Sequence, residues 1–314
     1  MNQPRRPEGP APFPDVRTAL LLTIGASVAS GVIGILFIDL GLLAAQGLGT
    51  AIGIGGVATL AARRVAEPQA ARIGFAPVGW RAWPMILCLV PAVLIASELD
   101  NFAYDGSPEK ETPSSSPMQQ AQTSGPVAED AQTGADATAK PQSKQETETP
   151  APLEPLIDPA SPFSLMEGLI VFVGITPVVH EFLFRGVLQQ GIVSQIGLTR
   201  GITITALLST LLRLPYSPTI ARFIAAYLVS FAMSWLLGLV RATTGSILGS
   251  ILLASLWAAV GFAALALEGR MALPGINVEG THLPVAVTLA SVLIVAWAAQ
   301  KVHAEALAQT RGEA

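Results

Sequence analysis

Long uncharged runs decide what this chain can become. Thr18–Ile38, Gly41–Ala62, Ile247–Leu267 and Leu283–Ala299 contain no Asp, Glu, Lys or Arg. Apolar runs of about 18 residues or more are long enough to cross the hydrocarbon core of a bilayer. There the backbone must satisfy its own hydrogen bonds, which helices do. Charged residues make up 13% of the 314-residue chain, about half the usual share of about 25% in a soluble domain. Many of them are gathered between Asp100 and Asp158. A soluble domain is excluded, and the expected fold class is all-α: a polytopic transmembrane helix bundle of about eight spans.

The spans read as Thr18–Ile38, Gly41–Ala62, Trp83–Ser97, Phe163–Phe184, a short one at Ile202–Leu214, Ile220–Val240, Ile247–Leu267 and Leu283–Ala299. Glycines crowd the second span (Gly47, Gly49, Gly53, Gly55, Gly56), and small residues let membrane helices approach closely. Lys and Arg orient the bundle. Arg5, Arg6, Arg17, Arg63, Arg64, Arg72, Arg81, Arg200, Arg241, Lys301 and Arg311 fall on one side, which the positive-inside rule makes cytoplasmic. Both termini are then cytoplasmic, as expected for a multi-pass protein of a bacterial-type inner membrane. Arg213, Arg222 and Arg270 fall on the opposite side.

Four regions follow. Residues 1–103 hold three spans. Residues 104–162 are rich in Pro, Ser, Thr, Gln and acids, with too little apolar surface to offset ordering entropy, and read as a disordered extracytoplasmic linker. Residues 163–267 form a core domain, and 268–314 a final span and tail. The lone Cys88 excludes an intrachain disulfide. No basic patch with interleaved aromatics points to nucleic acid, so the expected partner is the bilayer.

Candidate chemistry concentrates in Ile175–Leu188. His180, Glu181 and Arg185 stand at the cytoplasmic end of the fourth span, where ionisable residues default to a functional hypothesis. Glu181 and Arg185 are four apart with the acid first, the spacing of an intrahelical pair. The plain alternative is an interfacial ion pair whose Arg185 reaches out to lipid head groups.

The string His180-Glu-Phe-Leu-Phe-Arg-Gly186 resembles the first motif of the CPBP family, the CAAX-protease and bacteriocin-processing intramembrane proteases, in which two glutamates precede the arginine. Arg72–Trp80 is similar to the family's Leu-Gly-Leu loop. Ser97–Asn101 is similar to its Ser-Glu-Leu-x-Asn, and Thr244–Ile247 to the entry of its last motif helix. The resemblance implies a helical membrane fold and peptide hydrolysis near the membrane. It further implies a glutamate base on water and a divalent metal such as zinc, helped by two later histidines. It also marks where this chain departs. His180 replaces the first glutamate. Arg213 and Ser217, or Tyr216 on a one-residue shift, occupy the Phe and His positions of the second motif. Ala254 and Ala258 occupy the His and Asn positions of the third. A zinc site needs about three protein ligands, and the only other histidines are His282 and His303, so no cofactor is expected. The resulting expectation is an intramembrane-protease homologue without catalysis that binds a membrane-embedded peptide or protein. An active metalloendopeptidase built on Glu181, and a transporter or channel, stay open as alternatives.

Overall fold

The computed structural model describes residues 12–104, 157–213, 219–268 and 270–312. Among them the chain is helical apart from short connections and one isolated bridge at Pro274 and Val278. The elements are α1 (Val16–Leu36), α2 (Leu42–Ala62), a short α3 (Gln69–Ile73), α4 (Trp80–Phe102), α5 (Pro162–Ile196), α6 (Leu198–Leu212), α7 (Ile220–Thr244), α8 (Ile247–Ala266) and α9 (Val285–Arg311). Seven of these helices are long and apolar enough to cross a membrane, and this is an all-α transmembrane bundle. The described residues make one compact unit. The linker reading falls almost wholly outside the described residues.

Helix starts follow from local chemistry. Asp15 caps α1, its carboxylate accepting from Thr18 N at 2.8 Å, and Thr219 and Ser246 cap α7 and α8 in the same way. Each satisfies an amide that would otherwise lack a partner. The α1–α2 contact depends on the glycines. A Cβ at Gly53 would lie 2.5 Å from the Ser30 backbone, and one at Gly49 would lie 2.6 Å from Ser30 O. The two glycines are four apart, on one face, and let the backbones touch.

Two clamps hold the ends of the bundle, and both are built from segments outside the main motif. At one end the turn after α3 docks on the corner between α7 and α8. Ile247 N donates to Gly74 O at 3.0 Å, Arg241 donates to Arg72 O at 3.0 Å, and Ser246 Oγ bonds Ala76 O. Gly74 and Gly245 have φ of 88° and 66°, left-handed values that favour glycine. At the other end Ser97 and Asn101 both donate to Gly275 O, and Glu98 accepts from Leu283 N at 3.0 Å and meets His282 Nδ1 at 2.9 Å. There Asp100 and Glu279 also hold Arg222, at 2.7 and 3.2 Å.

The helices refine the bounds of three spans. Beyond Phe184, α5 continues as helix to Ile196, so His180 and Glu181 lie near the middle of its 35 residues. The third span is longer than Trp83–Ser97, running Trp80–Phe102. The short fifth span is α6, with 15 residues. At about 1.5 Å per residue it covers about 22 Å, short of a core about 30 Å thick. Its last turn therefore stops inside the bundle.

Candidate functional site

Arg185 is the hub. It is 1% exposed, among the largest fully buried side chains of the described residues. Its Nε lies 3.1 Å from Glu181 Oε2, its Nη2 donates to Ser234 Oγ at 2.8 Å and to Ser234 O, and its Nη1 reaches Ser209 Oγ at 3.4 Å. One side chain thus ties α5 to α6 and α7. Gln189, one turn on, donates to Gly238 O at 2.8 Å and extends the seam to α7. The outward reach toward head groups considered for Arg185 does not occur, because Ser209 and Ser234 receive it inside. Backbone spacing here is π-helical over Phe182–Leu188 and again over Leu169–Ile175, a feature frequent at functional sites.

Arg213, expected toward the far end of the short fifth span, caps α6 and ends against α5: its Nε donates to His180 Nδ1 at 2.9 Å, and its Nη2 stands 3.7 Å from Glu181 Oε1. Glu181 is 0% exposed and enclosed between two guanidiniums. Arginine is donor-only, so the contact makes Nδ1 of His180 the acceptor and leaves the proton of the neutral ring on Nε2. A second proton on Nδ1 would point at the guanidinium.

In front of this cluster lies a cavity of about 750 Å³. His180 and Arg213 form part of its wall, and Ala254 and Ala258 of α8 form another part. Positions from three separate motifs therefore converge on one chamber. Ser217 and Tyr216 lie outside the described residues. A third wall comes from the first two helices, with Ser27, Ser30, Gln46 and Thr50. Those polar side chains were not singled out in the sequence; their signal was a set of small hydroxyls and one amide inside otherwise apolar spans. Trp257 closes the α8 side and is anchored by donating to Leu89 O of α4 at 3.1 Å.

Residues 162–260 match the family model described as type II CAAX prenyl endopeptidase Rce1-like. The match covers about a third of the chain, and over that segment the chain is similar to the CAAX-endopeptidase family. No curated protein and no solved structure matches the chain. The matched segment runs from the start of α5 to within α8, and so contains Arg185, Glu181, Arg213 and both alanines. The two end clamps lie wholly or partly outside it. Of the positions that the motif resemblance singled out, His180, Arg213, Ala254 and Ala258 line one chamber, and Glu181 is not among its lining residues.

Proposed function

We propose that this multi-pass membrane protein keeps the CAAX-endopeptidase fold without peptide hydrolysis, and uses the chamber to bind a membrane-embedded peptide or protein. The observation that carries this reading is the enclosure of Glu181. A general base must lie within hydrogen-bond reach of the proton it abstracts, directly or through one water. Glu181 is instead fully buried and is not among the residues that line the cavity: its Oε2 lies 3.1 Å from Arg185 Nε and its Oε1 3.7 Å from Arg213 Nη2. His180 faces the cavity, but its lone pair at Nδ1 is engaged by Arg213, so Nε2 offers a donor and no base. Alanine at 254 and 258 supplies neither a hydrogen bond nor a ligand.

A divalent metal fits this donor set poorly. A catalytic zinc takes about three protein ligands, whereas Glu181 and His180 here share two arginines whose charges oppose a cation. Among the described residues no group of three His, Cys, Asp or Glu gathers. Ligation by these residues would first require Arg213 to leave.

Arg72 and Arg241 meet at one end of the bundle, beside the α9 tail with Lys301, whereas Arg222 at the other end is paired with Asp100 and Glu279; this supports a cytoplasmic position for the first end and, with it, the reading of a bacterial-type inner-membrane protein with both termini inside.

The test is cleavage by purified protein in liposomes of a prenylated CAAX peptide and a mixed peptide library, read by mass spectrometry. No product is expected from wild type. Products from wild type that disappear in Glu181→Gln establish an active endopeptidase and end the non-catalytic reading.

A further inference from the structure

The site carries more positive charge than it cancels. Arg185 and Arg213 share one carboxylate, Glu181, and among the described residues neither forms another ion pair. The five residues after Arg213, Leu-Pro-Tyr-Ser-Pro, contain no acid. The two cations are not equivalent. Arg185 is buried and spent on Ser209 and Ser234. Arg213 is 33% exposed and lines the cavity. The surplus charge therefore faces the chamber.

The rest of the chamber is two-sided. Near α1 and α2 it is lined by hydroxyls, including Ser30 and Thr50. Thr176 Oγ1, on α5, is buried with no partner among the described residues. On the α8 side it is lined by Trp257, Phe262 and Leu265. Its volume of about 750 Å³ is in the range of small-molecule sites, about 300–1,000 Å³. A free inorganic anion would leave the apolar wall unused, and an uncharged lipid would leave the cation unmatched. An arginine within a membrane bundle pairs, as a rule, with an anion or with backbone carbonyls.

We propose that the chamber binds a single-chain anionic amphiphile. Its carboxylate or phosphate sits on Arg213 and the hydroxyl wall, and its hydrocarbon lies along Trp257, Phe262 and Leu265. The proposal goes beyond the reading of the chamber as a peptide or protein site by naming a small amphiphile as its occupant, and it rests on the non-catalytic part of that reading, since it takes Glu181 as a charge partner rather than a base.

The test uses the full chain in phosphatidylcholine nanodiscs, with radiolabelled oleate as probe and empty nanodiscs as blank. Saturable binding is expected. It should resist competition by oleyl alcohol, which lacks the charge, and by inorganic phosphate, which lacks the chain. Competition by lysophosphatidic acid at lower concentration than by unlabelled oleate assigns a phosphate head, and the reverse order assigns a carboxylate. Arg213→Gln should weaken oleate by about tenfold or more, the usual worth of a hydrogen bond to a charged group, while Arg213→Lys retains most of it. Ala258→Phe should also weaken it, by filling the apolar end without touching the cation. Equal competition by oleyl alcohol, competition by inorganic phosphate alone, or unchanged affinity in Arg213→Gln overturns the proposal. If Arg213→Gln does not fold, the alcohol comparison and Ala258→Phe decide. Peptide cleavage by wild type that still binds oleate would end the non-catalytic reading only; absence of oleate binding from a non-cleaving protein ends this one only.

Discussion

Arg185 and Arg213 both touch Glu181, yet their removal should have different consequences. Arg185 is fully buried and spans three helices, so Arg185→Ala leaves a buried carboxylate half-paired and opens Ser209 and Ser234. Breaking a buried pair costs about 3–5 kcal/mol, and loss of the folded monomer on size exclusion in detergent is expected. Arg213 is partly exposed and holds Glu181 more loosely, at 3.7 Å against 3.1 Å, so Arg213→Gln should fold with a lowered melting temperature. Equal effects from the two variants would contradict the hub role of Arg185. The pairing of Glu181 with Arg185 was legible in the sequence because i,i+4 geometry is local. The position of Arg213 was not. It depends on where α6 ends relative to α5, whereas charge placement alone gave only its side of the membrane.

At the scale of elements, close helix approach at α1–α2 depends on glycine where a backbone, not a side chain, stands opposite. Gly53→Leu should be severe, because the Ser30 backbone cannot move aside, whereas Gly56→Leu, with nothing within 4 Å of an added Cβ, should be tolerated. Thermal unfolding in detergent ranks the two, and equal melting temperatures would remove the packing account. Apolar helices were readable from the run lengths, since hydropathy is a property of each segment by itself. Their true lengths were not. The charges at His180 and Glu181 mark the end of an apolar run, yet α5 continues past them to Ile196, and the end of α6 supplies Arg213 to both. The motif-like Ser97–Asn101 and Thr244–Ile247 segments could be recognised, but their work in clamping opposite ends of the bundle required the loops they meet.

For the whole molecule, a helical bundle carries a segment, residues 162–260, that matches the CAAX-endopeptidase model, and the positions the motif resemblance marks for hydrolysis hold His180, Ala254 and Ala258. The distribution of charge predicts that cysteines introduced at Ser115 and Thr310, in a Cys88→Ala background, label from opposite sides of the membrane. Labelling of both from one side would refute that topology. What separates a binding chamber from a protease is the state of Glu181, and its reactivity can be measured. Dicyclohexylcarbodiimide modifies protonated carboxyl groups in apolar surroundings, and intact-protein and peptide mass spectrometry locate the adduct. Glu181 should stay unmodified in wild type, because it is fully buried between two guanidiniums and off the cavity wall, and should become reactive in Arg213→Gln, where one side of it opens to the cavity. Stoichiometric modification of Glu181 in wild type would mean that a protonatable, reachable carboxyl faces the chamber, and would contradict the enclosed ion pair on which the non-catalytic reading stands.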